Sequence, residues 1–180
     1  MWMHPICLVS EAADFAARRH AGMTRKGRGN ELYINHLAEV ANLLATVLGG
    51  RDADLVAAGW LHDTMEDTAT TEQELAERFN AHVAGLVAEV TDDMRLPKST
   101  RRQLQIVHAP GKSPSAKLIK IADKISNVRA RIFPNPSEEQ REELADYVAW
   151  AEQVVVGCRG GNAVLDGLFD EAVANARGTL

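Results

Sequence analysis

Leu55-Val56-Ala57-Ala58-Gly59-Trp60-Leu61-His62-Asp63-Thr64-Met65-Glu66-Asp67-Thr68 is the stretch that decides the fold class. Its first half is apolar without period-two alternation, and Asp52 stands before it as an N-cap, so it reads as a buried helix. Its second half crowds one histidine and three carboxylates into six positions. On a helix, Asp63, Glu66 and Asp67 are spaced i, i+3 and i+4 and share one face.

The same helical grammar extends outward. Leu8, Val9, Ala12, Phe15 and Ala16 place a first helix at about Ile6 to His20. A polar, glycine-rich loop, Gly22 to Glu31, follows and carries Arg25, Lys26 and Arg28. The second helix begins near His36, with Leu37, Val40, Leu44 and Val47 along one face, and Gly49-Gly50 ends it. Thr71 with Glu74 is a capping-box pattern for a helix toward Phe79, and another helix covers about Ala81 to Val90. Prolines at 97, 110, 114, 134 and 136 divide the rest. Helices are expected at Ser99–Val107, Ser115–Arg131, from Ser137 and Gln140 to Val156, and at Ala163–Arg177. With 27 alanines and few aromatics, strand formers are scarce, and the expectation is one all-α domain over residues 1–180.

Composition narrows the class. The chain has 180 residues, 46% hydrophobic and 25% charged, the mix of a globular protein that buries roughly 70% of its unfolded surface. No run of about 18 uncharged apolar residues is present, so no membrane span is expected. Met-Trp-Met-His-Pro does not read as a signal peptide. Cys7 and Cys158 stand far apart and read as buried small side chains in a reducing compartment, which places the protein in the cytoplasm. The net charge of −5 argues against a nucleic-acid or membrane-surface partner. Yet Arg95 to Arg131 holds ten basic residues and one acid, Asp123, a local +9 inside a chain whose remainder carries −14. A small anionic ligand suits that field, and a solvated basic face on two helices is the plainer alternative.

The carboxylate cluster calls for a cation. Asp63, Glu66 and Asp67 repel one another unless a positive group lies among them or one keeps its proton. An acidic cluster favouring a helix dipole is the competing reading, but these acids follow the apolar run, at the end of the helix that disfavours them. His36, in Tyr33-Ile34-Asn35-His36, reads either as a helix-start residue or as a ligand. Asp123 and Asn127, one turn apart, lie off the apolar stripe of Leu118, Ile121, Ile125 and Val128, where periodicity alone allows solvation. Two histidines and two aspartates suit manganese, iron or zinc. Such an ion activates water and polarises a phosphoryl oxygen, with Glu66 and Asp67 near enough to move protons. Metal-assisted phosphate-ester hydrolysis follows from these residue types.

His36 … His62-Asp63 … Asp123 resembles the signature of HD-domain metal-dependent phosphohydrolases. Tyr33-Ile34-Asn35-His36, Leu61-His62-Asp63-Thr64-Met65-Glu66-Asp67-Thr68 and Lys117-Leu118-Ile119-Lys120-Ile121-Ala122-Asp123-Lys124 are similar to the hydrolase domain of RelA/SpoT proteins. Thr91-Asp92-Asp93, Leu96-Pro97-Lys98 and Trp150-Ala151-Glu152-Gln153-Val154-Val155 resemble the stand-alone small alarmone hydrolases of the metazoan SpoT-homologue type. The likeness runs from about Ala12 to Val156, and the synthetase and regulatory domains of the long members are not expected. It implies an HD-domain helical bundle that removes the 3′-pyrophosphate of guanosine tetra- or pentaphosphate (ppGpp or pppGpp), giving GDP or GTP, with manganese as the usual metal. It implies metal ligation by His36, His62, Asp63 and Asp123, and handling of the attacking water by Glu66 and Asp67. It also implies substrate contacts by Arg25, Lys26, Lys98, Asn127 and Tyr147.

The chain departs from the family pattern at Glu31-Leu32 before the Tyr-Ile-Asn-His string, at Leu37 after it, in the loop at 27–30, and over Pro134–Arg141. A shifted helix start is expected near Leu37. Two other readings compete with the alarmone hydrolase. One keeps the metal and acts on NADPH or another phosphorylated nucleotide; the other is a catalytically idle nucleotide sensor. The acid–base pair Glu66 and Asp67 argues against the sensor. Oligomeric state has no signature in these residues.

Overall fold

A helix buried on every side organises the molecule. In the computed structural model, which describes residues 3–25 and 31–180, α8 (Pro114–Arg129) keeps Leu118 through Ser126 buried without a break. Ser113 caps it by accepting from Ala116 N–H, and Pro114 fills its first position, where a missing N–H costs nothing. Its apolar stripe, Ile121, Ile125 and Val128, enters the core. The opposite side brings Lys120, Asp123, Lys124 and Ser126 inside as well, so the solvation that periodicity allowed for Asp123 does not occur.

Nine further α-helices accompany α8 among the described residues. These are α1 (Pro5–Arg19), α2 (Ile34–Leu48), α3 (Ala53–Leu61), α4 (Thr64–Asp67), α5 (Glu72–Arg78), α6 (Ala81–Val90), α7 (Lys98–His108), α9 (Glu138–Val156) and α10 (Ala163–Arg177). Among the described residues the only β pairing is an isolated bridge between Thr24 and Leu32. α3 packs on α1, α2 and α6, and α8 packs on α2, α6, α9 and α10. The all-α expectation holds. Leu37, Leu44, Leu55, Leu61, Ile119 and Phe169 are among the large side chains removed from water, each contributing roughly 1.5–3 kcal/mol before entropy is charged against it.

The caps fall where the sequence placed them. Asp52 accepts from Leu55 N–H, Thr71 from Glu74 N–H, and Ser137 and Gln140 form a full capping box. Gly49, at φ 60°, closes α2 in the left-handed region. α2 itself starts two residues before His36, at Ile34.

Two expectations are corrected. Asp63, Glu66 and Asp67 are not the tail of the apolar helix. α3 ends at Leu61, and the acids open the short α4, with Asp63 in the N-cap position. They therefore sit at the favourable end of a helix, and their placement alone demands no cation. Cys158 is buried as expected, but Cys7 is exposed on α1. No helix among the described residues is long and apolar enough to cross a membrane.

The end of α9 rests against the turn before α8 with no room to spare. A Cβ on Gly157 would lie 2.8 Å from Ala109 Cβ and 2.9 Å from Pro110 Cδ, both on short, stiff side chains. Gly157→Ala is expected to destabilise the fold by about 1–3 kcal/mol, the usual cost of overpacking. Chemical denaturation with an unchanged slope and a lower midpoint checks this.

Candidate metal centre and active-site cleft

Four side chains from four local contexts converge at one face of α8. α2 supplies His36, the end of α3 supplies His62, the start of α4 supplies Asp63, and α8 supplies Asp123. His36 Nε2 lies 3.3 Å from Asp63 Oδ2 and 3.4 Å from Asp123 Oδ1. His62 Nε2 lies 3.0 and 3.9 Å from the same two oxygens. Ligand atoms of His36, His62 and Asp123 all fall within 4.8 Å of one another.

The imidazoles are held from behind. His62 Nδ1 meets the Gly59 carbonyl at 2.8 Å, and a carbonyl can only accept, so Nδ1 carries the proton. Ser126 Oγ gives its proton to Glu39 Oε2 at 2.6 Å and so accepts from His36 Nδ1 at 2.9 Å. Both rings then turn Nε2 toward the carboxylates, the usual arrangement behind metal-bound histidine. His62 Nε2 is buried and has no hydrogen-bond partner. An orphaned buried nitrogen facing two carboxylates fits a divalent ion. The separations of 3.0–3.9 Å match neighbouring donors around one ion with bonds of about 2.0–2.2 Å.

The carboxylates are fixed as well. Asp63 Oδ2 accepts from Tyr33 Oη at 2.6 Å. Asp123 Oδ2 accepts from Lys124 Nζ at 2.7 Å, and its Oδ1 accepts from Asn127 Nδ2. Burial works against the charge on Asp123, but Lys124 and the imidazoles overcome it and hold the carboxyl well below the usual range. Burial likewise opposes a charged His62, and Asp63 and Asp123 outweigh it, pushing the ring up to about 9. Without an ion, a proton is what these carboxylates draw in, and a bound cation takes its place.

Beside this cluster opens a cleft of about 650 Å³, within the range for small-molecule sites. Six of the ten basic residues between Arg95 and Arg131 line it: Lys98, Arg101, Arg102, Lys120, Lys124 and Arg131. Others are used structurally, Arg95 on Asp93 and Lys112 on the Glu89 carbonyl. The far wall is aromatic. Lys124 Nζ lies 4.5 Å and Arg102 Cζ 4.8 Å from the Trp150 ring centre, and Arg131 Cζ lies 3.8 Å from that of Tyr147. A second hollow of about 600 Å³, lined by Arg25, Asp67 and Thr24, shares Tyr33, Asn127 and Arg131 with the first.

An HD domain is matched over residues 12–149. The guanosine-3′,5′-bis(diphosphate) 3′-pyrophosphohydrolase MESH1 of Xenopus tropicalis is 45% identical over 165 residues, 91% of each chain. The human protein of that name is 46% identical over 156 residues, 87% of each. The chain belongs to the HD-domain family, in its MESH1 branch. A solved structure described as a metazoan orthologue of SpoT that hydrolyses ppGpp superposes with a TM-score of 0.86 at 35% identity, covering 99% of this chain and all of its own.

The sequence-derived residues of this HD-domain chain gather as follows. Glu66, Lys98, Asn127 and Tyr147 line the large cleft with His62, Asp63 and Asp123, while His36 lies beneath it, 1% exposed. Asp67 lines the second hollow instead, with Arg25. Arg25 is buried, donates to Asn127 Oδ1 at 3.2 Å and pairs with Glu31 at 3.9 Å. Lys26 lies outside the described residues. Burial first, and then Asp63, pushes the Glu66 carboxyl up to about 7; the same two causes raise Asp67.

Sequence reading assigned no role to Tyr33, Lys120, Lys124 or Trp150, although each stands in a quoted motif. The +9 segment pointed to the two lysines collectively. Nothing in the sequence pairs Glu39 with Ser126 across 87 positions.

Proposed function

We propose that this chain is a metal-dependent 3′-pyrophosphohydrolase of ppGpp and pppGpp, releasing pyrophosphate and GDP or GTP. In this reading residues 1–180 form a single HD-type domain, manganese is the metal, and the enzyme works in the cytoplasm. His36, His62, Asp63 and Asp123 hold the ion. The observation that carries the reading is the juxtaposition of an orphaned His62 Nε2 among carboxylates with a cleft that gathers six cations. The MESH1 relatives support the substrate class. A concave cleft whose six cations stand beside six carboxylates, in an acidic chain, suits a compact polyphosphate held with a metal better than a nucleic acid.

The ion, when bound, lowers the pKa of a water and polarises a phosphoryl oxygen. Glu66, with a carboxyl near 7, takes the proton of the attacking water as its oxygen bonds to the phosphorus next to the 3′ oxygen. The bond from that phosphorus to the 3′ oxygen breaks. The 3′ oxygen leaves with the bonding pair and is protonated, with Asp67 beside it as the second proton-handling group. Lys98, Lys120 and Arg131 offset the charge of the phosphates, and Tyr147 offers a ring face at the far wall. Arg25 and Asn127 hold the nucleoside side from the second hollow, and Lys26 adds a positive charge for the phosphates.

Side-by-side turnover of ppGpp, pppGpp and NADPH tests the substrate class. Pyrophosphate released from the guanosine substrates ahead of phosphate from NADPH is the expected result. The reverse order moves the site to another phosphorylated nucleotide.

A further inference from the structure

α7 has no fully buried side chain, yet Lys98, Arg101, Arg102 and Gln105 along it line the cleft. Gln105 reaches the segment that follows α6. Its Nε2 donates to Asp92 Oδ2 at 2.6 Å, and the Asp92 backbone N–H donates in turn to Glu66 Oε1 at 2.7 Å. Two short hydrogen bonds therefore join the basic helix to the acid next to the metal cluster.

The chemistry fixes the direction of both bonds. A carboxylate only accepts, so Asp92 selects the amide nitrogen of Gln105 and sets which way that side chain faces. Both bonds end on a carboxylate, the stronger kind. Glu66 needs such a restraint. It sits on a helix of four residues, whose short ladder gives little rigidity of its own. The Asp92 N–H holds one of its oxygens and leaves the other for the cleft. Asp92 in turn lies in the irregular stretch between α6 and α7, and Gln105 anchors its side chain.

We infer that Asp92 and Gln105 are a positioning pair for Glu66, fixing the carboxylate for proton transfer and pinning it to the helix that presents Lys98 and Arg101. This rests on the hydrolase reading above. Neither residue touches the metal cluster, and their work is to hold a geometry.

The pair can be inverted. Gln105→Glu sets two carboxylates against each other, whereas Asp92→Asn with Gln105→Glu restores one donor and one acceptor in reversed order. Gln105→Met keeps the side-chain volume and removes only the donor. In ppGpp hydrolysis, Gln105→Glu and Gln105→Met are expected to lower kcat by about 10-fold or more, approaching the roughly 10² that an ångström of misplacement costs, with KM little changed. The double variant is expected to recover most of that loss, with all variants folded by circular dichroism. Wild-type kcat in the single variants, an effect confined to KM, or no recovery in the double variant overturns the pair. Wild-type protein in the same assay separates the two levels. Its failure to turn over ppGpp overturns the function reading and this role together, and its turnover beside unimpaired single variants overturns the pair alone.

Discussion

Asp63→Ala is expected to abolish turnover and metal retention together. Asp63 Oδ2 is the oxygen nearest to both imidazole nitrogens, 3.3 Å from His36 and 3.0 Å from His62, and Tyr33 holds it there. Removing it takes away one anionic donor and frees His62 from the carboxylate that most strongly raises it. The expected loss is about 10³-fold or more in kcat/KM, the rate equivalent of the several kcal/mol of charge stabilisation a metal contributes. Asp63→Asn separates charge from shape, because its carbonyl oxygen still accepts from Tyr33; the account expects it to be nearly as inactive. Metal content after dialysis, measured beside turnover, checks both. Wild-type turnover in Asp63→Ala would remove Asp63 from the ligand set.

The second large effect separates chemistry from binding. Glu66→Gln is expected to keep the metal and slow kcat by about 10²–10⁴-fold, the range for a lost acid–base group. It should also make the metal-free protein more stable at pH 8. Burial and Asp63 raise the Glu66 carboxyl from 4.5 to about 7, so the folded chain binds this proton more tightly than the unfolded chain does. The stabilisation from neutral Glu66 is complete below about pH 4.5 and is lost as pH rises through about 7. At pH 8 wild type carries a poorly solvated charge that glutamine lacks. The expected gain is about 1–3 kcal/mol, seen as a rise of several degrees in Tm at pH 8 and a much smaller one at pH 4. A residue that costs stability and carries rate is the usual signature of a built active site. An unchanged kcat with a raised KM would make Glu66 a binding residue.

Elements whose signals are local were legible in the sequence. Asp52, Thr71 and Ser137 each cap the helix that follows them, and α10 runs over the Ala163–Arg177 expected of it. The break between α3 and α4 was not legible, because Leu61-His62-Asp63-Thr64 contains no glycine or proline to announce it. That break reversed one argument, since the acids open a helix and do not close one. It left their convergence with His36 and Asp123 intact. α8 was read by its apolar stripe, and periodicity says nothing about what covers the other side. There Lys120, Asp123, Lys124 and Ser126 are buried because α2, α6 and α9 close over them. The supports behind the histidines were invisible for the same reason. Ser126 and Glu39 are ordinary helix residues until tertiary packing brings them together.

The most direct test is the product of ppGpp hydrolysis by metal-stripped protein, resolved by chromatography with and without added manganese. GDP and pyrophosphate in equal amounts, formed only when manganese is present, are the expected result. Single phosphates in place of pyrophosphate, or no turnover by folded protein shown to hold manganese, would contradict it.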